Sequence, residues 1–315
     1  MKIMNIAALS KFLVIMDHNV MNKAPAFKKT RFAPTPSGYL HLGNILSFAI
    51  TAYLAKQRGA GILLRIDDFD RERTVEKYVQ DIFDTLNFME IPWDEGPRNF
   101  SQYEREYSQV HRTEMYQKAL QALRGAGNVF ACDCSRSKIA AINADSRYPG
   151  TCRNRGLSLD ADNVSWRLFT GECEIAVKTI DGRLIHKLFP AGMNDFIVRK
   201  KDGLASYQLT SVLDDQYFGV DLVVRGEDLW PSTLAQICLS GFLPGNSFED
   251  TAFYHHHLLM DNTGEKLSKS EGAVSVQYLR KEGKTSAEVY TLIGKMLGSN
   301  TPVENFYQLA ELVLK

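Results

Sequence analysis

The chain has 315 residues, 44% hydrophobic and 23% charged, which is enough apolar material for one or two globular cores and excludes disordered or fibrous architectures. Lysine plus arginine and aspartate plus glutamate both number 37, so the net charge is zero and any RNA contact has to come from a local basic patch. Five cysteines are too few for a disulfide framework, and no apolar run approaches the roughly 18 to 20 residues that cross a bilayer. A reducing, cytoplasmic setting without membrane attachment is expected.

Residues 1–29 read as an N-terminal extension. Their apolar stretch from Ile6 to Met16 is interrupted by Lys11 and followed by no small-residue cleavage site, so a signal peptide is the weaker reading and Met21 is an alternative start. From Thr30 the pattern tightens. Arg31, Phe32 and Ala33 predict a strand and Pro34 to Gly38 a stiff turn. His41 to Arg58 predicts a helix with Leu42, Ile45, Leu46, Ala49 and Tyr53 on one face. Gly61 to Asp67 (GILLRID) predicts a buried strand, and Val75, Val79, Ile82, Phe83 and Leu86 the next helix, capped by Thr74. Two successive βα units predict a parallel sheet covered by helices.

Between about 98 and 205 the character changes to a helical stretch over 104–126, a cysteine-bearing loop, and short alternating segments. Two of these, Glu174 to Lys178 and Arg183 to Lys187, flank an Asp181-Gly182 turn, and the whole stretch reads as an inserted domain. The α/β pattern resumes with a helix over 206–217, a strand from Val220 to Arg225 and a helix over 231–242. There is no internal repeat and no low-complexity tract.

Three groups of residues carry chemistry. The stretch PTPSGYLHLGN, residues 34–44, runs from a strand end into a helix N-terminus, whose free N–H groups form a natural anion site. His41 can donate to phosphate oxygens, and Gly43 lets backbone approach a flat base. Farther on, Lys266-Leu267-Ser268-Lys269-Ser270 places two ammonium groups in a glycine-flanked loop suited to neutralising a leaving pyrophosphate. Neither the GxxxxGK[ST] nor the GxGxxG fingerprint is present. Finally, Cys132, Cys134 and Cys152 offer tetrahedral zinc three of its four ligands, with the phenol oxygen of Tyr148 as an unusual fourth; three cysteines without a metal are the competing reading. Cys173 and Cys238 are expected to be small buried hydrophobes.

HLGN resembles the HIGH signature and KLSKS the KMSKS signature of class I aminoacyl-tRNA synthetases. With RFAPTPSGYLHLGN, LLRIDDFDRER, ASYQLTSVLDDQYFGVDLVVRGEDL and GEKLSKS in this order, residues 30–275 resemble the glutamyl-tRNA synthetase catalytic core. The pattern CxC, Tyr, three residues, Cys is similar to the zinc site of the short glutamyl-Q tRNA(Asp) synthetases. The resemblance implies an α/β class I fold: a Rossmann-type parallel sheet, an inserted zinc-bearing α+β acceptor-binding domain, and a short C-terminal helical tail. The divisions expected are 1–29, 30–97, 98–205, 206–262 and 263–315, the last holding the KLSKS loop.

The resemblance also implies ATP-dependent activation of L-glutamate and transfer to a tRNA, with queuosine of tRNA(Asp) as the acceptor. Charging of a tRNA 3′ end by a minimal ligase is the alternative, and a non-catalytic tRNA-binding paralogue the rival of another class. Implied as catalytic are His41, Lys266 and Lys269. His41, Gly43, Asn44 and Lys269 are implied to meet ATP with Mg2+ as counter-ion. Arg31, Phe32, Ala33, Pro34, Thr35, Asp67, Tyr207 and Arg225 are implied to meet glutamate, Asp67 holding its ammonium. Zn2+ would sit on Cys132, Cys134, Tyr148 and Cys152. Asp67 departs from the family's RIED, being one methylene shorter, and Asn44 replaces the second histidine of HIGH. Only 45 residues follow Ser270, so anticodon reading in the family's usual way is not expected; the chain is expected to be a monomer.

Overall fold

The computed structural model describes residues 26–69, 74–143, 145, 147–260 and 275–314. Strand β1 (Lys29–Phe32) leads through helix α1 (Leu42–Arg58) to β2 (Gly61–Leu64), which pairs with β1 in parallel. The expected strand to Asp67 ends at Leu64. Beyond it the Arg65 and Asp67 N–H groups still bond Phe32 and Pro34 carbonyls, at 2.9 and 3.0 Å, so this segment follows the end of β1. Helix α2 (Glu76–Phe88) covers the sheet, and Val79, Ile82, Phe83 and Leu86 are buried as their spacing predicts. Thr74 does not cap it. Val75 occupies the cap position without a side-chain bond, and the Thr74 hydroxyl donates to the Asp68 carbonyl instead, at 3.3 Å.

The helix expected over 104–126 is broken in two. A π turn (Tyr103–Tyr107) and a 3-10 turn (Gln109–Arg112) precede α3 (Thr113–Gly125). The cause is Asp68, whose carboxylate accepts from the Ser108 hydroxyl at 2.5 Å and the Gln109 N–H at 2.7 Å, pulling Ser108 out of helical geometry. An antiparallel sheet follows, built from β3 (Val129–Cys132), β4 (Ser165–Leu168) and β7 (Ile197–Arg199), with α4 (Arg136–Ile142) beside it.

The hairpin β5 (Glu174–Thr179) and β6 (Leu184–Leu188) turns at Gly182, whose φ of +83° suits glycine. It joins the sheet of the later α/β segment. After α5 (Tyr207–Tyr217), β8 (Leu222–Gly226) and α6 (Trp230–Ser240), strand β9 (Ala252–His256) lies parallel to both β8 and β5. Strand β1 runs beside β8: the Asp221 N–H donates to the Lys29 carbonyl, and the Asp221 carboxylate accepts from the Lys28 and Lys29 N–H groups. The sequence halves therefore meet along β1 and β8.

The tail forms α7 (Val276–Lys281), α8 (Ser286–Met296) and α9 (Phe306–Leu314). These pack back on the first half, α9 along α1, and the Tyr290 hydroxyl donates to the Met89 carbonyl at 2.6 Å. Covered by the sheet and by α9, α1 is buried nearly all round. Among the described residues no helix is long and apolar enough to cross a membrane.

Candidate active site and thiol cluster

Where β1 and β8 end side by side, a cavity of about 250 Å³ opens toward the start of α1. Its walls bring together Arg31, Phe32, Ala33, Pro34, His41, Gly43, Asn44, Tyr207 and Arg225 from the sequence prediction, and add Ser47, Gly226, Asp228, His256, Leu258 and Leu259. A crevice beyond the carboxyl ends of parallel strands is where open α/β sheets place their ligands. Thr35 and Asp67 are not among its lining residues.

His41 and Asn44 do structural work at its mouth. The His41 Nδ1 accepts from the Gly43 N–H at 3.1 Å while Asn44 Oδ1 accepts from the His41 N–H at 3.0 Å, a reciprocal cap on α1. A Cβ on Gly43 would come within 3.1 Å of the His41 ring, so the glycine makes room for the cap. Leu258 and Leu259 line this cavity; the described chain resumes at Ser275, which bridges His41, while the Val276 N–H bonds the Leu40 carbonyl at 2.9 Å. Lys266 and Lys269 belong to the intervening segment and lie outside the described residues.

The two lining arginines are both buried but differently held. Arg31 gives its Nε to Asp215 at 3.1 Å and Nη1 to the Val224 carbonyl at 3.4 Å. Arg225 has no carboxylate ion pair among the described residues. Its Nη1 donates to Gln236 at 2.9 Å, its Nη2 to the Thr233 hydroxyl at 2.7 Å, and its Nε, also buried, has no partner. Burial draws the Arg225 guanidinium down to about 10, with Tyr207 and Asp215 opposing, so it stays charged at neutral pH. A buried cation with a spare donor favours an anion in the cavity.

Asp67 faces Arg65, which donates Nε to Oδ1 at 2.7 Å and Nη2 to Oδ2 at 3.2 Å. Burial, with the nearby Asp214 and Asp215 charges, raises the Asp67 carboxyl despite the opposing charge and bond of Arg65. Arg65, Asp215, Thr233 and Gln236 escaped the sequence reading. One signal was available: the Asp214-Asp215 pair interrupts an otherwise apolar helix face at Leu209 and Val212, and two acids are buried there only when cations meet them.

Cys132, Cys134 and Cys152 come together as expected, their sulfurs all within 4.8 Å of one another and buried. The Tyr148 hydroxyl oxygen accepts from the Cys152 N–H at 2.8 Å, which brings it to the rim of the cluster. Burial opposes ionisation of Cys132, but the bond and charge of Arg167, with the Cys134 backbone and the Tyr148 hydroxyl, together outweigh it and hold this thiol below its usual range. Burial and the two neighbouring thiols push Cys134 up to about 12. One thiol poised for the thiolate beside another that resists it until a cation arrives is the donor chemistry of a thiolate metal site. Cys173 departs from expectation: it is exposed, and its thiol lies against partly buried Cys238.

A family model described as tRNA synthetases class I (E and Q), catalytic domain, matches residues 28–167 and 168–314. The chain belongs to that family. It is 36% identical over 281 residues to a glutamyl-Q tRNA(Asp) synthetase of Symbiobacterium thermophilum, covering 84% of each, and 36% identical over 280 residues to one of Dechloromonas aromatica, covering 86% of each. With Glutamate–tRNA ligase 2 of Syntrophus aciditrophicus it shares 30% identity over 291 residues, 87% of this chain but 59% of the ligase. A solved glutamate-tRNA synthetase from Elizabethkingia anophelis superposes with a TM-score of 0.70 at 21% identity, covering 90% of this chain and 65% of that one, and shares the fold.

Proposed function

We propose that the chain activates L-glutamate with ATP and transfers the glutamyl group to a tRNA, with queuosine of tRNA(Asp) as the acceptor. The observation that carries the reading is the pair of buried guanidiniums, Arg31 and Arg225, on one cavity whose other end is the capped start of α1. Glutamate is a dianion with one ammonium. Arg31 and Arg225 match its carboxylates, the Tyr207 hydroxyl adds a hydrogen bond, and Asp67 beside the cavity holds the ammonium. Phe32, Ala33 and Pro34 supply the wall around the substrate, with Thr35 next to it in the chain.

The carboxylate held there attacks the α-phosphorus of ATP, and pyrophosphate leaves. His41, Gly43 and Asn44 border the nucleotide, and Lys266 and Lys269 stabilise the departing charge; Mg2+ carried with ATP would supply further counter-charge. No covalent enzyme intermediate is needed. The thiol cluster with Tyr148 holds a structural Zn2+, whose contribution is to the folding of the segment that meets the tRNA. The relatives named glutamyl-Q tRNA(Asp) synthetase match this chain over most of their own length, which supports queuosine as acceptor over a 3′ end.

Purified protein incubated with ATP, labelled glutamate and total tRNA tests the reading. Glutamate-dependent pyrophosphate exchange without tRNA is expected. After nuclease digestion of the product the label should also lie in the anticodon-loop fragment and not on the 3′-terminal nucleotide. Equal exchange with aspartate or glutamine overturns the substrate, and label carried on the 3′-terminal nucleotide overturns the acceptor.

A further inference from the structure

One carboxylate oxygen behind the cavity serves two arginines. Asp215 Oδ1 accepts from Arg31 Nε at 3.1 Å and from Arg65 Nη1 at 2.6 Å, and Arg65 in turn grips Asp67. The result is a buried row of alternating charge, Arg31, Asp215, Arg65 and Asp67, none of them more than 8% exposed. Asp215 is 1% exposed and is not one of the residues lining the cavity, so it touches no ligand there.

We propose that Asp215 is a positioning residue for amino-acid recognition, setting the direction of Arg31 and, through Arg65, that of Asp67. With Nε tied to Asp215 and Nη1 only weakly engaged at the Val224 carbonyl, the terminal nitrogens of Arg31 are the donors left for a substrate carboxylate. Without the Asp215 charge, Arg31 and Arg65 would face each other across a dry interior with Asp67, and Asp214 already paired to Arg112, left to balance them, and like charges at low dielectric move apart. The carboxylate is itself rigidly placed. It sits on α5, whose first residue, Tyr207, lines the cavity, and the Asp215 carbonyl accepts from the Val220 N–H at 2.8 Å where the chain turns toward β8. One helix thus supplies a ligand-facing residue at its start and the anchor of an opposing arginine near its end.

The inference rests on the cavity being the amino-acid pocket. Its test uses pyrophosphate exchange with whichever amino acid the wild-type chain activates, so a failure of glutamate counts against the substrate assignment and leaves Asp215 to be judged separately. Asp215→Asn keeps the shape and removes the charge; Asp215→Glu keeps the charge and shifts it by one methylene. Both should raise KM for the amino acid about tenfold or more while KM for ATP stays within about twofold. If Asp215→Asn does not fold, Asp215→Glu and Arg65→Lys carry the test, the latter keeping its charge but losing the two-donor grip on Asp67. A KM for the amino acid within about twofold of wild type in the folded variants overturns the proposal. So does a rise in both KM values together with a fall in Tm, the mark of a purely structural role.

Discussion

Arg65 holds both carboxylate oxygens of Asp67, one through Nε and one through Nη2, and so turns the acid toward its own loop. A methylene extends a side chain by roughly 1.5 Å, enough to replace a water-mediated contact to a substrate ammonium with a direct one. Asp67→Glu should therefore tighten glutamate binding by about 1 kcal/mol, seen as a five- to tenfold fall in KM in pyrophosphate exchange. Weaker binding would mean a pocket built around the shorter acid and a substrate other than glutamate.

Thr233 seats Arg225. Replacing it by valine keeps the volume and removes the hydroxyl that accepts from Nη2, leaving a second nitrogen of this buried guanidinium without a partner beside Nε. Thr233→Val should raise KM for glutamate about tenfold, the equivalent of roughly 1.4 kcal/mol, with the fold retained by circular dichroism.

The same hydroxyl lies 2.7 Å from the His255 Nε2, within hydrogen-bond distance, and accepts from Arg225. Burial, then the charges of Arg225 and His256, press the His255 imidazole down to about 3. The unfolded chain protonates this ring near pH 6.5 and the folded chain only near 3, so stability is full above 6.5 and falls between them, by up to about 1.4 kcal/mol per pH unit. Urea unfolding at pH 7 and pH 5 should show the loss, and His255→Gln should shrink it.

Zinc analysis of protein purified without chelator should give one equivalent per chain. Cys152→Ser should drop it below about half an equivalent and lower unfolding free energy by at least about 2 kcal/mol. Full stability in a zinc-free Cys152→Ser variant would leave the thiols without a metal role.

Lys269→Ala should slow pyrophosphate exchange about 100-fold or more at unchanged Tm, the scale of losing one charge-stabilising group from a transition state. An unchanged rate would remove Lys269 from the mechanism.

Elements with strong apolar spacing were legible in the sequence. The buried face of α1, the α2 stripe and the hairpin around Gly182 all appear where periodicity and turn chemistry place them. Long-range side-chain bonds were not. Asp68 breaks a helix forty residues later, and Asp215 reaches back to Arg31 and Arg65, relations that no local pattern encodes. Strand order was hidden for the same reason, since β5 reads as part of an insertion until its pairing with β9 is seen. At the site, the motif residues were legible because their chemistry is local, whereas their supports at Thr233, Gln236 and Asp215 are ordinary polar residues given meaning only by burial.

The row of alternating charge has a further consequence for how the chain folds. Arg31, Arg65 and Asp67 arrive early in the chain, while Asp215 arrives about 150 residues after Arg65. Closing so long a loop is slow, and until it closes Arg31 lacks its carboxylate and Arg65 has Asp67 but not Asp215. The pocket should thus mature last, as a product of global assembly: residues 30–205 alone would hold the Arg65–Asp67 pair but leave Arg31 without its carboxylate. Adding back the remaining segment in trans would be required before any amino acid is recognised.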